Sequence, residues 1–537
     1  MQNHIQTFKI KLSVNIYDAE ITLVEESMLQ LKEYKGHIRN WKELCSELDI
    51  DNNLSREERE ENIILKAYEK WGTDIANHFY GMFAFAIYDN NKDEIFCIRD
   101  QFGTKPFYYY ITDEGELLYG VTLKKILDNP LFKKELNEDM LQIYLSLTYV
   151  AGPDTFFKNV KKLMPGNYMI FKNGKAEITT YWKPEFKPDN SKSLEEWADE
   201  IHETLKSIMP QVHDDNETVE SFLSGGVDSS YVIAMSDATA GDSCAYEEER
   251  FDESSLAAET AKFLNRKHNK ALITPEAYFD IVPFVMKEME QPLGDASAIA
   301  FALGSKATAE HTKICYSGEG ADEFFGGYNM YRNAERYGDE LKNFYVGNTN
   351  IMKEDEKKEL LLNYNPEVLP INLVKDIYKD NEGCDPLTKM SDVDIRIWLE
   401  GDIYLNVDKM STACGLEVRM PLTDLRIFDI ASRMPSKFKV NETQNKVAFR
   451  QAAAKILPEE VAFRKKLGFI VPIRIWMADS RYNKDVREKL SGESCGKFFN
   501  KNKVQEIFDS YVNGDSDLWR KVWTIYTFLV WYDIYFG

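Results

Sequence analysis

The segment SFLSGGVDSS, Ser221 to Ser230, constrains the fold more than any other part of the chain. Phe222 and Leu223 are apolar and predict the end of a buried strand, and the largely apolar run YVIAMSDATA that follows predicts a helix. Gly225 and Gly226 let the backbone pass close to an anion, and hydroxyls and amides at a helix N-terminus supply donors. Asp228 can hold a Mg²⁺ that bridges phosphate oxygens. Because no Lys follows the glycines, this is not the G-x-x-x-x-G-K-[ST] loop; a plain Ser/Gly turn is the alternative.

Length, charge and cysteine content limit the class of protein. The 537 residues exceed what one core supports, so we expect two or three domains. A net charge of −23 argues against nucleic acid as the main partner, because binding its phosphates requires basic patches. The seven cysteines form no CxxC or metal-type pattern, which favours a reducing compartment. With no signal-type segment and no apolar stretch of membrane-spanning length, we predict a cytoplasmic protein that binds no membrane.

The hydrophobic pattern changes near residue 183. Residues 1–182 are dominated by short strands and turns, including a hairpin whose first strand runs from Met82 to Tyr88. Residues 183–194 are polar and contain two prolines, which predicts a linker. In residues 195–537, helical patterns alternate with strand-like runs such as ESFLSG and TKICYSG. This alternation predicts a parallel sheet covered by helices.

A second segment with chemical potential is CYSGEGADEFFGGY, Cys315 to Tyr328. A predicted strand ends at Ser317, at the edge where open α/β sheets bind ligands. Glu319 and Asp322 belong to a group of three carboxylates within five residues, which repel one another unless a cation is near. Asp322 and Asp228 together would make a Mg²⁺ site from two oxygen ligands plus phosphates. The alternative is an acidic helix N-terminus, which favours Asp and Glu without any ligand.

Candidate cations lie in a third region of the chain. DKMSTACGLEVRMPLTD contains Lys409 and Arg419, and FRKKLGF contains Arg464, Lys465 and Lys466. A site that binds phosphates needs fixed cations to neutralise their negative charge. Lys466 and Lys409 are the candidates for this role. Surface lysines are common, so a solvated side chain explains either residue taken alone.

Together these segments resemble the glutamine-dependent asparagine synthetase family. SFLSGGVDSS has the form of the SGGxDS pyrophosphate loop of ATP pyrophosphatases, and FDESSLA, YSGEGADEFFGGY, DKMSTACGLEVRMPLTD and FRKKLGFIVPIRIW follow in the family's order. The resemblance implies an α+β N-terminal layer (residues 1–182), a degenerate Ntn-hydrolase-like αββα domain of the glutamine amidotransferase type. It implies an α/β parallel-sheet ATP-pyrophosphatase domain (residues 195–537), like the adenine nucleotide alpha hydrolases. The implied chemistry is adenylation of a carboxylate by ATP with Mg²⁺, then attack by a nitrogen nucleophile to form an amide.

The resemblance also implies roles for single residues. The family's pyrophosphate-binding positions correspond to Ser224, Gly225, Gly226, Asp228, Ser229 and Ser230. Its adenine- and ribose-binding positions correspond to Leu223, Ser317, Gly318 and more weakly Tyr246. Its Mg²⁺ ligands correspond to Asp228 and Asp322, and its catalytic residues to Glu319, Lys466 and Lys409.

The N-terminal part departs from the family where glutamine is hydrolysed. A working glutaminase begins, after Met removal, with a Cys whose thiol attacks glutamine. Here Met1 is followed by Gln2, and no Cys precedes Cys45. The family's NGEIYN segment, which supplies oxyanion donors and grips glutamine, is KGHIRN in this chain, with Lys35 and His37 replacing Asn and Glu. We therefore expect a truncated, decayed glutaminase in which His37 is a surface histidine.

Three functions remain open at this point. The first is asparagine formation from aspartate, ATP and ammonia, which the intact SGEGADE and GLEVRMPLTD segments favour. The second is a specialised amide ligase, such as a lasso-peptide-type macrolactam cyclase, acting on an amine-bearing acid or peptide. The β-lactam synthetase solution is disfavoured, because those enzymes carry Tyr and Glu where this chain keeps Glu319 and Lys409. The third is a nucleotide-binding regulator without catalysis, which predicts lost metal or pyrophosphate residues. The resemblance allows a homodimer and leaves the acyl substrate open.

Overall fold

The structure is a computed structural model that describes residues 28–214, 217–465 and 468–537, so Lys466 lies outside the described residues. Thirteen strands in these ranges form three sheets. The strands are β1 (Leu29–Ile38), β2 (Gly81–Asp89), β3 (Glu94–Arg99), β4 (Tyr108–Ile111), β5 (Leu117–Gly120), β6 (Lys161–Lys162), β7 (Asn167–Lys172), β8 (Lys175–Thr180), β9 (Val219–Phe222), β10 (Ala240–Ala245), β11 (Lys267–Leu272), β12 (Ile314–Tyr316) and β13 (Glu417–Arg419).

Helices make up most of the chain after β8. The α-helices are α1 (Trp41–Leu48), α2 (Arg56–Trp71), α3 (Leu123–Leu127), α4 (Asp139–Leu147), α5 (Leu194–Ile208), α6 (Val227–Met235), α7 (Ser254–Phe263), α8 (Pro275–Met289), α9 (Ser297–Thr308), α10 (Ala321–Phe325), α11 (Ala334–Tyr337), α12 (Glu354–Leu360), α13 (Lys375–Asp380), α14 (Pro386–Val393), α15 (Tyr404–Ala413), α16 (Leu425–Arg433), α17 (Val447–Ala453), α18 (Glu459–Ala462), α19 (Ile473–Trp476), α20 (Lys484–Ser491), α21 (Cys495–Phe498), α22 (Lys501–Val512) and α23 (Trp519–Phe536). A π-helical stretch, Asp394–Ile403, runs directly into α15. None of the described helices is both long and apolar enough to cross a membrane.

The N-terminal layer contains two antiparallel sheets, one of five strands in the order β1-β2-β3-β7-β8 and one of three in the order β5-β4-β6. The predicted hairpin is confirmed, because β2 pairs with β3 in antiparallel register. Strand β2 alternates large and small apolar residues. Phe83 and Phe85 pack in the cluster with α1 and α2, whereas Ala84 and Ala86 face the opposite cluster. Both faces of this strand are therefore buried.

The third sheet, in the second half of the chain, is parallel, as the alternating pattern predicts, and has the order β11-β10-β9-β12-β13. Strand β9 lies at the centre, with the next strand along the chain, β10, on one side and β12 on the other. The carboxyl ends of β9 and β12 are therefore the point where the strand order reverses, which is where open α/β sheets form ligand clefts. Helix α5, which begins at Leu194 at the end of the predicted linker, opens this half of the chain with a capping box at Ser193.

Candidate functional site

The serine–glycine turn after β9 leads directly into the N-terminus of α6. Gly225 has a φ of +79°, which favours glycine, and a Cβ there would lie 2.8 Å from the Cβ of Leu256. Two serine side chains join the ends of the turn: Ser229 Oγ accepts a hydrogen bond from the Ser224 amide at 3.1 Å and lies 3.0 Å from Ser224 Oγ. The first amides of α6 thus face a cleft at the carboxyl edge of the sheet, an arrangement suited to phosphate.

The turn after β12 forms the opposite wall of the cleft. Its backbone is held by β13, because the Ser317 amide donates to the Arg419 carbonyl at 3.0 Å. Gly318 lies so close to α6 that a Cβ there would be 3.0 Å from the backbone carbon of Asp228. Ser317 Oγ donates to Glu319 Oε1 at 3.2 Å, so the turn fixes the position of this carboxylate at the cleft.

Two predicted metal ligands meet at a lysine that the sequence did not reveal. Lys446 Nζ lies 2.6 Å from Asp228 Oδ2 and 2.7 Å from Asp322 Oδ1. Burial alone would lower the pKa of Lys446, but the two carboxylates raise it above its ordinary value, so the ammonium stays charged. The Lys446 side chain is 2% exposed, whereas the two carboxylates are 23% and 22% exposed toward the cleft. One cation therefore bridges two accessible acids.

Gly327 makes this approach possible. A Cβ on Gly327 would fall 1.7 Å from Asp322 Oδ1 and 2.3 Å from Lys446 Cε, so any larger residue would displace the ion pair. Lys446 itself has a left-handed backbone with a φ of +58° at the start of α17, a conformation that is unfavourable for Lys and concentrates at functional sites. The Gly-Gly pair after the acidic turn was the available sequence signal for a close contact, but it did not indicate which residue approaches.

Within the part of the chain that the structure describes, Glu323, the third carboxylate of the acidic segment, has no cation beside it of the kind that Asp322 has in Lys446, and its charge is removed by protonation instead. Glu323 is buried, and burial together with the charge of Asp322 raises the pKa of Glu323 to about 8. Tyr328 donates a hydrogen bond to Glu323 Oε1 at 2.6 Å. At neutral pH Glu323 is therefore protonated while Lys446 compensates Asp322. The predicted need for a nearby cation is met by Lys446.

Two arginines brace the rim of the cleft. Arg464 Nη1 donates to the Gly225 carbonyl at 2.7 Å, which ties the segment before Lys466 to the glycine turn. Arg450 donates through Nη1 to the carbonyls of Ala462 and Arg464 at 2.7 and 2.9 Å. Both guanidinium groups therefore fix backbone and also add positive charge beside the turn.

Most of the predicted site residues line this one cleft. They are Leu223, Ser224, Gly225, Gly226, Asp228, Ser229, Tyr246, Ser317, Gly318, Glu319 and Asp322. Ser230 does not line it, because its side chain is fully buried on the inner face of α6. Lys409 is also elsewhere: it is 5% exposed and pairs with Glu290, which accepts the Leu123 and Lys124 amides at the start of α3. The structure thus does not bring Lys409 to the cleft.

The prediction that His37 is a surface histidine is wrong. Its side chain is fully buried, and burial lowers its pKa; its Nδ1 lies 3.6 Å from Glu60 Oε1. Lys35, at the other replaced position, donates to Asp408 in α15 at 2.6 Å. The reason is tertiary: β1 pairs with β2, and the synthetase half of the chain covers its end. His37 is therefore closed to solvent within this interface, and Lys35 lies partly exposed at its edge.

Comparison with known proteins agrees with this architecture. The family model described as glutamine amidotransferase domain matches residues 18–182, and the one described as asparagine synthase matches residues 200–533. Asparagine synthetase [glutamine-hydrolyzing] 1 of Bacillus subtilis (strain 168) is 32% identical over 93% of this chain and 85% of its own length. A putative asparagine synthetase [glutamine-hydrolyzing] of Mycobacterium tuberculosis (strain ATCC 25618 / H37Rv) is 28% identical over 94% of this chain and 84% of its own. This chain therefore belongs to the asparagine synthetase family of ATP-dependent carbon–nitrogen ligases.

Proposed function

We propose that this enzyme adenylates the side-chain carboxylate of aspartate with ATP and transfers the acyl group to ammonia, forming asparagine, AMP and pyrophosphate. The carboxylate oxygen would bond to the α-phosphorus as pyrophosphate leaves, and ammonia would then bond to the acyl carbon as AMP leaves. The observation that carries the proposal is the cleft where Asp228, Asp322 and Lys446 meet beside the N-terminus of α6. This arrangement combines an anion-binding helix end with cation and acid groups in one place.

The two aspartates fit a magnesium ion. Because each lies within 2.7 Å of Lys446 Nζ, their oxygens are close enough to share a cation. Asp228 Oδ1 is buried and accepts no hydrogen bond within the described ranges of the chain, so it retains coordinating capacity. Carboxylate oxygens with substrate phosphates are the ligand set that Mg²⁺ prefers. Asp228 and Asp322 would hold the ion, which supplies charge neutralisation to the phosphate oxygens when bound.

The remaining side chains suit the two half-reactions. The turn hydroxyls of Ser224 and Ser229, together with the α6 amides, would bind the pyrophosphate. Lys446 would neutralise the negative charge that grows on pyrophosphate as it leaves. Glu319, oriented by Ser317, would take a proton from the incoming nitrogen.

Ammonia is the favoured nitrogen source because two glutamine-binding positions carry different chemistry here. The resemblance implies an oxyanion donor at the position of Lys35 and a glutamine-gripping acid at that of His37. Lys35 instead contacts Asp408 at 2.6 Å, and His37 is sealed beside Glu60. A buried neutral histidine does not replace a carboxylate that binds a substrate ammonium group. We therefore propose that glutamine is not hydrolysed.

The test is pyrophosphate release from MgATP with aspartate and either ammonium or glutamine. Release with ammonium, accompanied by asparagine and absent with glutamine, is the expected result. Equal release with glutamine would contradict the decayed glutaminase. If protein that binds ATP releases no pyrophosphate with either nitrogen source, that result would contradict aspartate as the substrate and favour an amine-bearing acid or peptide.

A further inference from the structure

One segment of the synthetase half, residues 417–426, contacts the turn that carries Glu319. The Arg419 carbonyl accepts the Ser317 amide at 3.0 Å, and Thr423 Oγ1 donates to the Glu319 carbonyl at 3.2 Å. We call residues 417–426 the coupling segment. Because both bonds end on backbone groups that flank the Glu319 side chain, movement of the coupling segment would move that carboxylate.

The N-terminal layer holds the coupling segment from its other side through Arg39. Arg39 Nη1 donates to Asp424 Oδ2 and Nη2 donates to the Met420 carbonyl, both at 2.8 Å. The side chains of Arg39 and Asp424 are both completely buried. One planar guanidinium therefore fixes two points of the coupling segment, four residues apart, with Thr423 between them.

Two further contacts from the N-terminal layer reach the ends of the coupling segment. Arg56 donates to the two carboxylate oxygens of Glu417 at 2.7 and 3.0 Å. Tyr80 lies under the guanidinium of Arg426, with 4.7 Å between the ring centroid and Cζ. These contacts are partly exposed, whereas the Arg39 contacts are closed to water and so are not screened by salt.

We propose that Arg39 is a positioning residue of the synthetase site and holds the coupling segment against the turn that carries Glu319. The proposal rests on the role assigned to Glu319 in the proposed function. Its physical basis is a continuous chain of contacts from Arg39 through Met420 and Asp424 to Thr423 and the Glu319 backbone. Loss of Arg39 leaves Asp424 paired with Arg426, so the fold should persist while the segment loosens.

The test compares Arg39→Met with Lys35→Met. Lys35→Met also removes a cation at the interface, but its partner Asp408 keeps Lys105, and both ion pairs of Asp408 lie outside the coupling segment. We expect Arg39→Met to lower kcat for amide formation about tenfold, with the KM for ATP changed by less than about twofold. Amide hydrogen exchange in residues 317–323 should accelerate about tenfold. Lys35→Met should change neither kcat nor the exchange rate. Arg39→Lys keeps the positive charge but lacks the two donor groups of the guanidinium, so its kcat and exchange rate should be intermediate.

Wild-type kcat and wild-type exchange in folded Arg39→Met would overturn the proposal. Thr423→Val tests the other end of the chain of contacts if Arg39→Met does not fold, with Thr423→Ser as the control that keeps the hydroxyl. Loss of kcat and faster exchange in the Val variant alone would support the proposal; equal values in both would overturn it. Exchange requires no substrate, so it decides the question for Arg39 even if aspartate is not the substrate.

Discussion

Two groups of acid–lysine contacts in this molecule differ in their ratio of acids to lysines. In the cleft, one cation serves two acids: Lys446 lies between Asp228 and Asp322, whose side chains are partly exposed. At the interface between the N-terminal layer and α15, two cations serve one acid: Lys35 and Lys105 both contact Asp408, which is 1% exposed. The group formed by Lys446 and its two aspartates therefore has one negative charge that a further cation can neutralise, whereas the group around Asp408 has no surplus negative charge.

The electrostatics of the two regions follow from this difference. Burial would raise the pKa of Asp408, but Lys105 and Lys35 hold that pKa well below its usual range. The same Asp–Lys chemistry is thus closed to solvent and structural at the interface. In the cleft it is accessible and able to exchange partners. Solvent access and charge balance, rather than residue type, distinguish a binding site from a structural ion pair here.

The largest expected effect comes from removing an acid of the cleft. Asp228→Ala should reduce pyrophosphate release about 1,000-fold or more, because it removes a proposed metal ligand and a partner of Lys446. The measurement is pyrophosphate release under saturating MgATP. Asp237→Ala, which removes an exposed carboxylate just beyond the same helix, is the matched control and should remain active. Near-normal turnover of Asp228→Ala would contradict the proposal that the acids of the cleft, unlike Asp408, take part in the reaction.

A smaller effect, on stability, is expected at the interface. Asp408→Asn should lower the free energy of unfolding by about 3 kcal/mol, because the buried Lys105 and the partly buried Lys35 lose their compensating charge. Since the pKa of folded Asp408 is depressed, its contribution is fully present above the unfolded value of about 4 and is lost gradually as the pH falls from there through the depressed folded pKa. Urea unfolding at pH 7 and at lower pH measures this.

The control for Asp408 is Asp113→Asn, which removes an exposed pair with Lys133 and should cost less than about 1 kcal/mol. Equal losses in the two variants at pH 7 would contradict a buried and charge-compensated Asp408.

The smallest expected effect is on activity at the two positions where the resemblance places glutamine-binding residues. Lys35→Met and His37→Gln should leave ammonia-dependent turnover within about twofold of wild type, because neither side chain lines the cleft. Steady-state rates with ammonium measure this. A strong loss in either variant would mean that the N-terminal layer still takes part in the chemistry.

The sequence predicted the elements that depend on local pattern. The hairpin of β2 and β3 and the parallel sheet around β9 followed from the spacing of apolar residues. The serine–glycine turn was predicted from two glycines between an apolar strand and an apolar helix, and in the structure Gly225 has the left-handed backbone that favours glycine. These features are encoded within about ten residues, so a single sequence is sufficient to recognise them.

Other features depended on residues far apart in the chain. Lys446 approaches Asp228 across 218 positions, and nothing in its own neighbourhood distinguishes it from a surface lysine. Lys409 was expected in the cleft but pairs with Glu290, and His37 was expected at the surface but is buried. The charge state and accessibility of a side chain depend on which distant elements pack against it. Local pattern thus determined the parallel sheet and the serine–glycine turn, and tertiary packing decided which charged side chains meet in the cleft and which are buried away from it.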